Sequence, residues 1–460
     1  MAKVTNYGAA GDGTTDDTEP LQHAIDDGDG VLDFPKGTFR ITRPLVIDLT
    51  KTGRAAVRGA GGTTRLLMTG PGPALRVVGD HRGTAVPTSM TEQTRDRERF
   101  PTVSGIEIFG THPEAVGIEL RKTAQMTVSN VLIRQCKYAL HLVERNRNFI
   151  LADSHLYDNH EYGVFFDRCN LHQTIICGNH ISYSKRAGIR SIGGDVHNLH
   201  ITGNDIEYNN QPGVDASPNG EPTGAEIFFE ADDGIISEVS IVSNTIQATA
   251  EPGGTNVRIW GGAKSPPLGA VLISLTGNVI GSQSRAIDLR HAQRIVVSGN
   301  TLYDSRDLTL FAADCSGLSI SGNTVSWKGT DDQKPTDGLR FERCDGVAVS
   351  GLVAQRLCSG SAESGGGITV IECRDFSVSD CQLLDSLYCG VSLHDSERCR
   401  VTNNTIVDRR DKPTMRHAVR VTGKSRHNLV TGNIVGGSTE AAIAAAEGTA
   451  RVAENLECEK

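Results

Sequence analysis

Short apolar–polar alternations ending in Ser/Thr-Gly-Asn recur along this chain. Ile295-Val296-Val297-Ser298-Gly299-Asn300 returns as Leu318-Ser319-Ile320-Ser321-Gly322-Asn323, and Leu199–Asn204 and Ile273–Asn278 are earlier copies. Two apolar residues two apart, followed by a turn tripeptide, describe a strand with one buried face that runs into a turn. Aligned on the Asn position, the anchors fall at 111, 131, 154, 179, 204, 244, 278, 300, 323, 352, 381, 404, 433 and 455. Steps of 20 to 29 residues are interrupted twice, by 40 (204 to 244) and 34 (244 to 278). A period in the twenties built only of strands and turns belongs to a solenoid, and one coil of a parallel β-helix is a unit of that size.

A second strand of each coil reads Gly-apolar-x-apolar, as in Gly163-Val164-Phe165-Phe166, Gly188-Ile189-Arg190, Ala286-Ile287-Asp288-Leu289 and Gly338-Leu339-Arg340-Phe341. Alternation turns the apolar members inward and the others outward. Coils stack about 4.8 Å apart, so equivalent residues form columns along the solenoid. The anchor asparagines form one column, expected as an amide ladder that satisfies turn backbone. Ile189, Val257 and Ile287 are expected in the core, with Arg190, Arg258 and Asp288 outward on one sheet. The repeat predicts one continuous domain of coils over 103–460, preceded by a cap and first coils in 1–102. Ala441–Ala446 is helix-like in composition, yet Asn455 with Ala450 and Val452 predicts a last coil there.

Composition narrows the partners. Lys and Arg total 46 against 55 Asp and Glu, a net charge of −9 with no basic stripe, which speaks against nucleic acid. No apolar run reaches membrane-spanning length, so no membrane partner is expected. Met1-Ala2-Lys3 leads straight into strand-like sequence without a signal peptide, implying a cytoplasmic chain or one secreted with its leader removed. Eleven cysteines, an odd number with no CxxC pair, speak against zinc; neither metal nor cofactor is expected. Cys315, Cys344 and Cys373 each precede an anchor by eight residues and should stack as buried thiols; a disulfide between neighbours is the alternative.

The N-terminal segment has its own signature. Val4-Thr5-Asn6-Tyr7-Gly8 and Gly11-Asp12-Gly13-Thr14-Thr15-Asp16-Asp17-Thr18 lead into Leu21-Gln22-His23-Ala24-Ile25, an apolar helical face predicted over about 17–27 with Asp17 as N-cap. Val31–Ile41 then reads as two strands around Pro35-Lys36-Gly37. Residues 4–46 resemble the N-terminal segment of the pectate-lyase-like β-helix superfamily, which includes polygalacturonase-related proteins and phage tailspikes. The resemblance implies a right-handed parallel β-helix, capped by the N-terminal helix, and action on polysaccharides. The Asn-Thr-Asp and Gly-His-Gly pair of polygalacturonases and the Trp-x-Asp-His signature of calcium-dependent pectate lyases are absent.

The two long steps place insertions beside one another: Gln211–Thr223 in the first, Glu251–Gly254 and Lys264–Pro267 in the second. Insertions in a solenoid map to loops on one face, often the binding face; as an alternative they are trimer contacts, making a homotrimer the assembly to test. Beneath them the outward column is expected to run His141, Phe165, Arg190, Glu226, Arg258, Asp288, Arg340, and the next one Val143, Asp167, Ile192, Phe228, Trp260, Arg290, Glu342. Aromatic faces among carboxylates and arginines suit stacked sugar rings and their hydroxyls. The leading reading is therefore a glycosidase or fructotransferase-like enzyme with paired carboxylates: Glu226 with Asp215 or Asp288 as catalytic groups, and Arg190, Arg258, Trp260, Phe228, Arg290 and Asp167 binding a poly- or oligosaccharide. Inulin fructotransferases, which also set a strand Glu beside an Asp on β-helix coils, resemble it in architecture.

Two alternatives accompany that reading. His155, His180 and Asp205 occupy equivalent positions on three successive coils, with Tyr157, Tyr183 and Tyr208 behind them. A polysaccharide lyase or uronate epimerase would draw its base from Tyr162, His160, His155 or His180 and use Arg190 to neutralise the sugar carboxylate. A glycan-binding, tailspike-like module without catalysis is the non-enzymatic class.

Overall fold

Equivalent strands pair in parallel, each with its counterpart one coil on. The computed structural model describes residues 2–83, 86–210, 224–247, 253–262, 269–327 and 336–458 as an all-β parallel solenoid of about 16 turns. Contacts group the described residues into two units, one running to Ser240 and the other from Ile241 onward.

In the first unit, helix α1 (Thr18–Asp26) buries Leu21, Ala24 and Ile25. Asp17 occupies the N-cap position, as expected, but its side chain makes no capping bond. Its carboxylate accepts instead from the Ala10 and Gly11 N–H groups, at 2.6 and 3.0 Å, and so pins the preceding loop. Gly11 itself has φ +64°, and a Cβ there would lie 2.9 Å from the Phe39 ring, so only glycine fits. The coils then run through β1 (Ala115–Ala124), β2 (Tyr138–Arg147), β3 (Tyr162–Cys177), β4 (Ala187–Ile192), β5 (Asp195–Thr202) and β6 (Ala225–Glu230). Ile118, Leu140, Val164, Ile189 and Ile227 stand in register and are fully buried, the alternation made into a core. Ahead of these coils Glu98 is buried on the unit, its carboxylate accepting from the Asp80 N–H at 2.8 Å.

The second unit repeats the scheme in β7 (Thr255–Trp260), β8 (Arg285–Arg290), β9 (Leu308–Ala313) and β10 (Leu339–Glu342). Val257, Ile287, Leu310 and Leu339 form its matching core column. Residues 443–445 are a strand rather than a helix, and Ala450–Ala453 with Leu456–Cys458 complete a last coil.

At the turns the anchor amides stack. In the first unit the Ser154 N–H donates to Asn179 Oδ1 and the Asn179 N–H to Asn204 Oδ1, each at 3.0 Å. In the second, Asn244 donates to Asn278, Asn278 to Asn300 and Asn300 to Asn323 at 2.9–3.0 Å, and Asn404 to Asn433 to Asn455 at 3.0 Å. Nδ2 of Asn179, Asn204, Asn278, Asn300 and Asn323 also reaches a carbonyl of a preceding coil, Leu275 O at 3.0 Å in the case of Asn300. Cysteines build a parallel column: the Cys344 N–H donates to Cys373 Sγ at 3.3 Å, and the Cys373 N–H to Ser396 Oγ at 3.2 Å. All eleven cysteines are free thiols, so the stack at 315, 344 and 373 is held by packing and not by a disulfide.

Asn300→Ala removes the acceptor of the buried Asn278 N–H and the side-chain donor to the Leu275 carbonyl, and leaves the Asn278 amide only its bond to Ile241 O. Each buried group left unpaired costs about 1–3 kcal/mol, so the substitution is expected to destabilise the chain by about 3 kcal/mol or more in denaturant melts. A loss within the noise of a surface substitution would show that the ladder is decoration.

Candidate functional site

Two clusters of ionisable and aromatic side chains stand on the outward faces of the long strands, one in each unit. In the first unit the column next to the core runs Glu119, His141, Phe165, Arg190, Phe228. Tyr138 stacks on Tyr162 with centroids 5.5 Å apart and planes at 9°, and both pack on Phe165 at 5.0 and 4.8 Å. His141 lies flat against Phe165, and its Nε2 meets Asp167 Oδ2 at 3.2 Å while Nδ1 stands 3.8 Å from Glu119. Glu119 is tied to Arg76 at 2.7 Å and Arg121 at 3.2 Å. Arg190 is buried over the Phe228 ring, 3.8 Å from its centroid, is ion-paired with Glu230 and faces the Tyr162 phenol. The hydrogen bond from His141 holds the Asp167 carboxyl below its ordinary range, whereas burial and nearby Glu161 push the Tyr138 phenol up. Tyr138, His141, Tyr162 and Asp167 are half-buried, so this patch is open on one side.

Register corrects the sequence expectation at β6. Arg190 pairs with Phe228 and Ile192 with Glu230, so Phe228 stands in the Arg190 column rather than beside Asp167. Glu226 then falls opposite Gly188, between the pairs Ala187–Ala225 and Ile189–Ile227. It does not point outward between two arginines. It is fully buried, and its carboxylate accepts from the Asn209 N–H at 3.2 Å and from Asn209 Nδ2 at 2.7 Å. A Cβ on Gly188 would meet the same Asn209 amide at 2.9 Å, so this direction leads to the turn and not to a cleft. The geometric basis for Glu226 as a catalytic acid is thereby removed. Asp215 and most of the inserted loops lie outside the described residues.

In the second unit the expected pairs Arg258–Asp288 and Trp260–Arg290 stand in register. Asp288 is fully buried, within 3.7 Å of Arg258, 3.4 Å of Arg285 and 3.1 Å of Arg290, and accepts from Trp260 Nε1 at 3.3 Å. Arg290 also lies over the Trp260 ring, and Arg285 over Phe311, at 4.6 and 5.0 Å. Three guanidiniums and the Trp260 indole thus converge on the Asp288 carboxylate. Arg285 continues to Asp307 at 2.8 Å, and beyond it burial and the Asp307 charge push the Asp337 carboxyl up to about 8. Sequence reasoning missed Asp307 and Asp337, which fall outside both columns.

A family model described as the right handed beta helix region matches residues 102–223 and 227–456, well over half of the sequence. The chain belongs to the right-handed β-helix family. A second model, rhamnogalacturonase A/epimerase, pectate lyase-like, matches residues 1–61 and bears out the superfamily resemblance of the N-terminal segment. Among solved structures, ORF18 of Geobacillus virus E2 is similar at 15% identity over 81% of this chain and 60% of that one, with a TM-score of 0.49. The Dettilon tailspike protein is similar at 17% identity over 85% and 65%, TM-score 0.48. The A-module of Azotobacter vinelandii mannuronan C-5 epimerase AlgE6 is similar at 14% identity over 100% of both, TM-score 0.42. This β-helix thus spans less than two thirds of the viral and tailspike chains. No curated protein matches its sequence.

The remaining candidates sit on other parts of the β-helix. His155, His180 and Asp205 are in register on a second sheet, His180 bonded to Asp205 at 2.9 Å. Tyr157, Tyr183 and Tyr208 form a partly exposed ladder with centroids 5.0 and 5.3 Å apart. The structure places Tyr162 against Arg190 and leaves His155 and His180 in this separate stack. His160 is a turn residue whose N–H donates to Cys136 O at 2.7 Å, and burial and Lys185 pull its imidazole down.

Two outcomes follow. Glu226→Gln replaces one acceptor oxygen by an NH2 group facing the Asn209 donors, and is expected to cost about 2 kcal/mol in a denaturant melt; unchanged stability would contradict the buried hydrogen bonds. Asp337 keeps its proton in the folded chain up to about pH 8, while the unfolded chain loses it near pH 4. Its contribution to stability is therefore full below about pH 4 and is lost as pH rises through about 8. Asp337→Asn cannot ionise, so melts between about pH 5 and pH 9 should show the variant gaining on the parent as pH rises. Parallel profiles would contradict the shift.

Proposed function

We propose that this β-helix acts on an acidic glycan, with Tyr162, His141 and Asp167 of the first unit as its acid–base centre. The observation that carries the reading is the Tyr138–Tyr162 stack, set between a His141–Asp167 hydrogen bond and the buried Arg190. Removing the proton α to a sugar carboxylate needs a base within hydrogen-bond reach and a nearby cation to favour the negative charge that forms. The Tyr162 phenol beside a guanidinium supplies the first under the influence of the second. His141, oriented by Asp167, supplies the partner that returns or delivers a proton, to the opposite face of the carbon in an epimerase or to the leaving oxygen in a lyase. The half-buried rings of Tyr138 and Tyr162 give a sugar its apolar shelf. The N-terminal match to a rhamnogalacturonase A/epimerase, pectate lyase-like model supports a glycan substrate.

Hydrolysis by paired carboxylates is the second reading, now placed on the second unit. It is favoured by Asp337, held protonated near neutral pH as a general acid must be, beside Asp307. Trp260 and Phe311 would seat the sugar there.

The two separate cleanly on a panel of uronate-containing polysaccharides in heavy water. Proton abstraction puts deuterium at the carbon next to the carboxylate, or produces unsaturated uronate ends; hydrolysis produces reducing ends alone. Tyr162→Phe is expected to lower the exchange or elimination rate by about a hundredfold or more, with Asp337→Asn near the parent rate. Reducing ends without exchange, abolished by Asp337→Asn and indifferent to Tyr162→Phe, would transfer the function to the second unit. Binding without any turnover on the panel would leave a glycan-binding module.

A further inference from the structure

Further along the same coils of the first unit lies a basic patch that glycan chemistry at Tyr162 does not use. Past a bend marked by Glu144 and Arg168, with φ of 56° and 46°, β2 ends in Arg145-Asn146-Arg147. In register with it stand Asn170-Leu171-His172 of β3 and Asp195-Val196-His197 of β5. Two adjacent columns therefore hold Arg145, Asn170, Asp195 and Arg147, His172, His197. The chain leaving the strand at Val78 brings His81 onto them: its N–H donates to Lys122 O at 3.0 Å, and it shares the electrostatic neighbourhood of Arg145, Arg147 and His172.

These groups are out of water. His81 is 1% exposed, Arg145 7% and His172 8%. Both ring nitrogens of His81, Nδ1 of His172, and Nε and Nη2 of Arg145 have no hydrogen-bond partner among the described residues. The nearby carboxylates answer the patch only in part: Asp195 stands 4.0 Å from Nε2 of His172. Asp195 meets His197 at 2.6 Å and accepts from Asn170 Nδ2 at 3.0 Å; Glu238 lies 3.4 Å from the other nitrogen of His197. Arg145 bonds only Asn170, through Nη1, and makes no ion pair among the described residues. Asp195 acts on Arg145 without bonding it; a buried guanidinium with no bonded counter-charge is costly, and free buried donors of this kind mark an ion or ordered water.

Among the described residues, His172, Asp195 and His197 have a metal's donor set, with ligand atoms within 4.8 Å of one another. The surroundings decide against a cation. Burial first, and then the charges of Arg145 and Arg147, hold both His81 and His172 down to about 4 against the pull of Asp195 on His172, and the two guanidiniums set a positive potential across the patch. That potential repels a divalent ion and attracts an anion, and Arg145 Nε with Nη2 is the edge of a guanidinium that grips two oxygens side by side.

We propose that Arg145, His81 and His172 form a binding site for an oxoanion: a sulfate, phosphate or carboxylate group, free in solution or carried on a sugar. The site stands independently of the reading given to Tyr162. Its test is calorimetric titration and thermal melting of the whole chain with sulfate, phosphate, galacturonate and galactose, ionic strength matched with chloride to screen surface charge. Saturable binding with a rise in Tm is expected for at least one oxoanion and for neither galactose nor chloride. Binding of galacturonate alone assigns the anion to a sugar, and binding of sulfate or phosphate assigns it to free oxoanions as well; each supports the site. Arg145→Gln should weaken binding about ten- to a hundredfold, and without anion should melt no lower than the parent because a buried unpaired charge is gone. Should that variant not fold, His81→Ala replaces it, with weakened binding again expected. No saturable oxoanion binding by the parent, or equal binding by the folded variant, overturns the proposal.

Discussion

The constraint on which the rest of this β-helix depends is the backbone at its turns. Each coil bends sharply at the anchor position and buries an N–H there that water cannot reach. The asparagine of the following coil accepts from that N–H, while its own Nδ2 reaches back to a carbonyl, as Asn278, Asn300 and Asn323 do in sequence. Unpaired, these groups would each cost more than an ordinary hydrogen bond returns. The ladder therefore fixes the register from coil to coil, and register decides which side chains share a column. The chemistry of the surface, including Tyr138 on Tyr162 and Arg258 beside Asp288, follows from that alignment.

Much of this was legible because it is periodic. The anchors, the core positions Ile189, Val257 and Ile287, the buried thiol stack and the His155–His180–Asp205 row all lie where the repeat puts them. Glu226 was misplaced for an identifiable reason. Its coil follows the longest step in the repeat, and Gly224 stands where a coil glycine is expected, which slides the alignment by two residues. A shift of two preserves the alternation of inward and outward positions, so hydrophobic pattern is blind to it. Only the three-dimensional register shows that Ala225 answers Ala187 and that Glu226 points at Asn209.

Burial of charge was the other property the sequence concealed. Outward positions on a strand read as solvated, yet Arg190, Arg258, Asp288 and Arg145 are all nearly or fully removed from water. Their fates differ. Arg190 is answered by Glu230, and Asp288 by three arginines, whereas Arg145 bonds only the Asn170 amide among the described residues. Buried pairs of the first kind are roughly neutral for stability and serve to fix side-chain positions. Here they hold Tyr162 against a cation and line Trp260 and Phe311 with arginines. An unanswered charge of the second kind calls for a ligand. The same outward columns thus yield a scaffold in one place and a binding site in another, according to whether the partner is present in the chain.

The central claim, that the Tyr138–Tyr162 face of the first unit is where an acidic sugar reacts, is tested most directly by a crystal structure of the Tyr162→Phe chain with a bound acidic oligosaccharide. The account predicts a sugar ring on the Tyr138 shelf, with the carbon bearing its carboxylate turned toward residue 162 and His141 within hydrogen-bond reach. An oligosaccharide seated at Trp260 and Asp337, with nothing on that shelf, would contradict it.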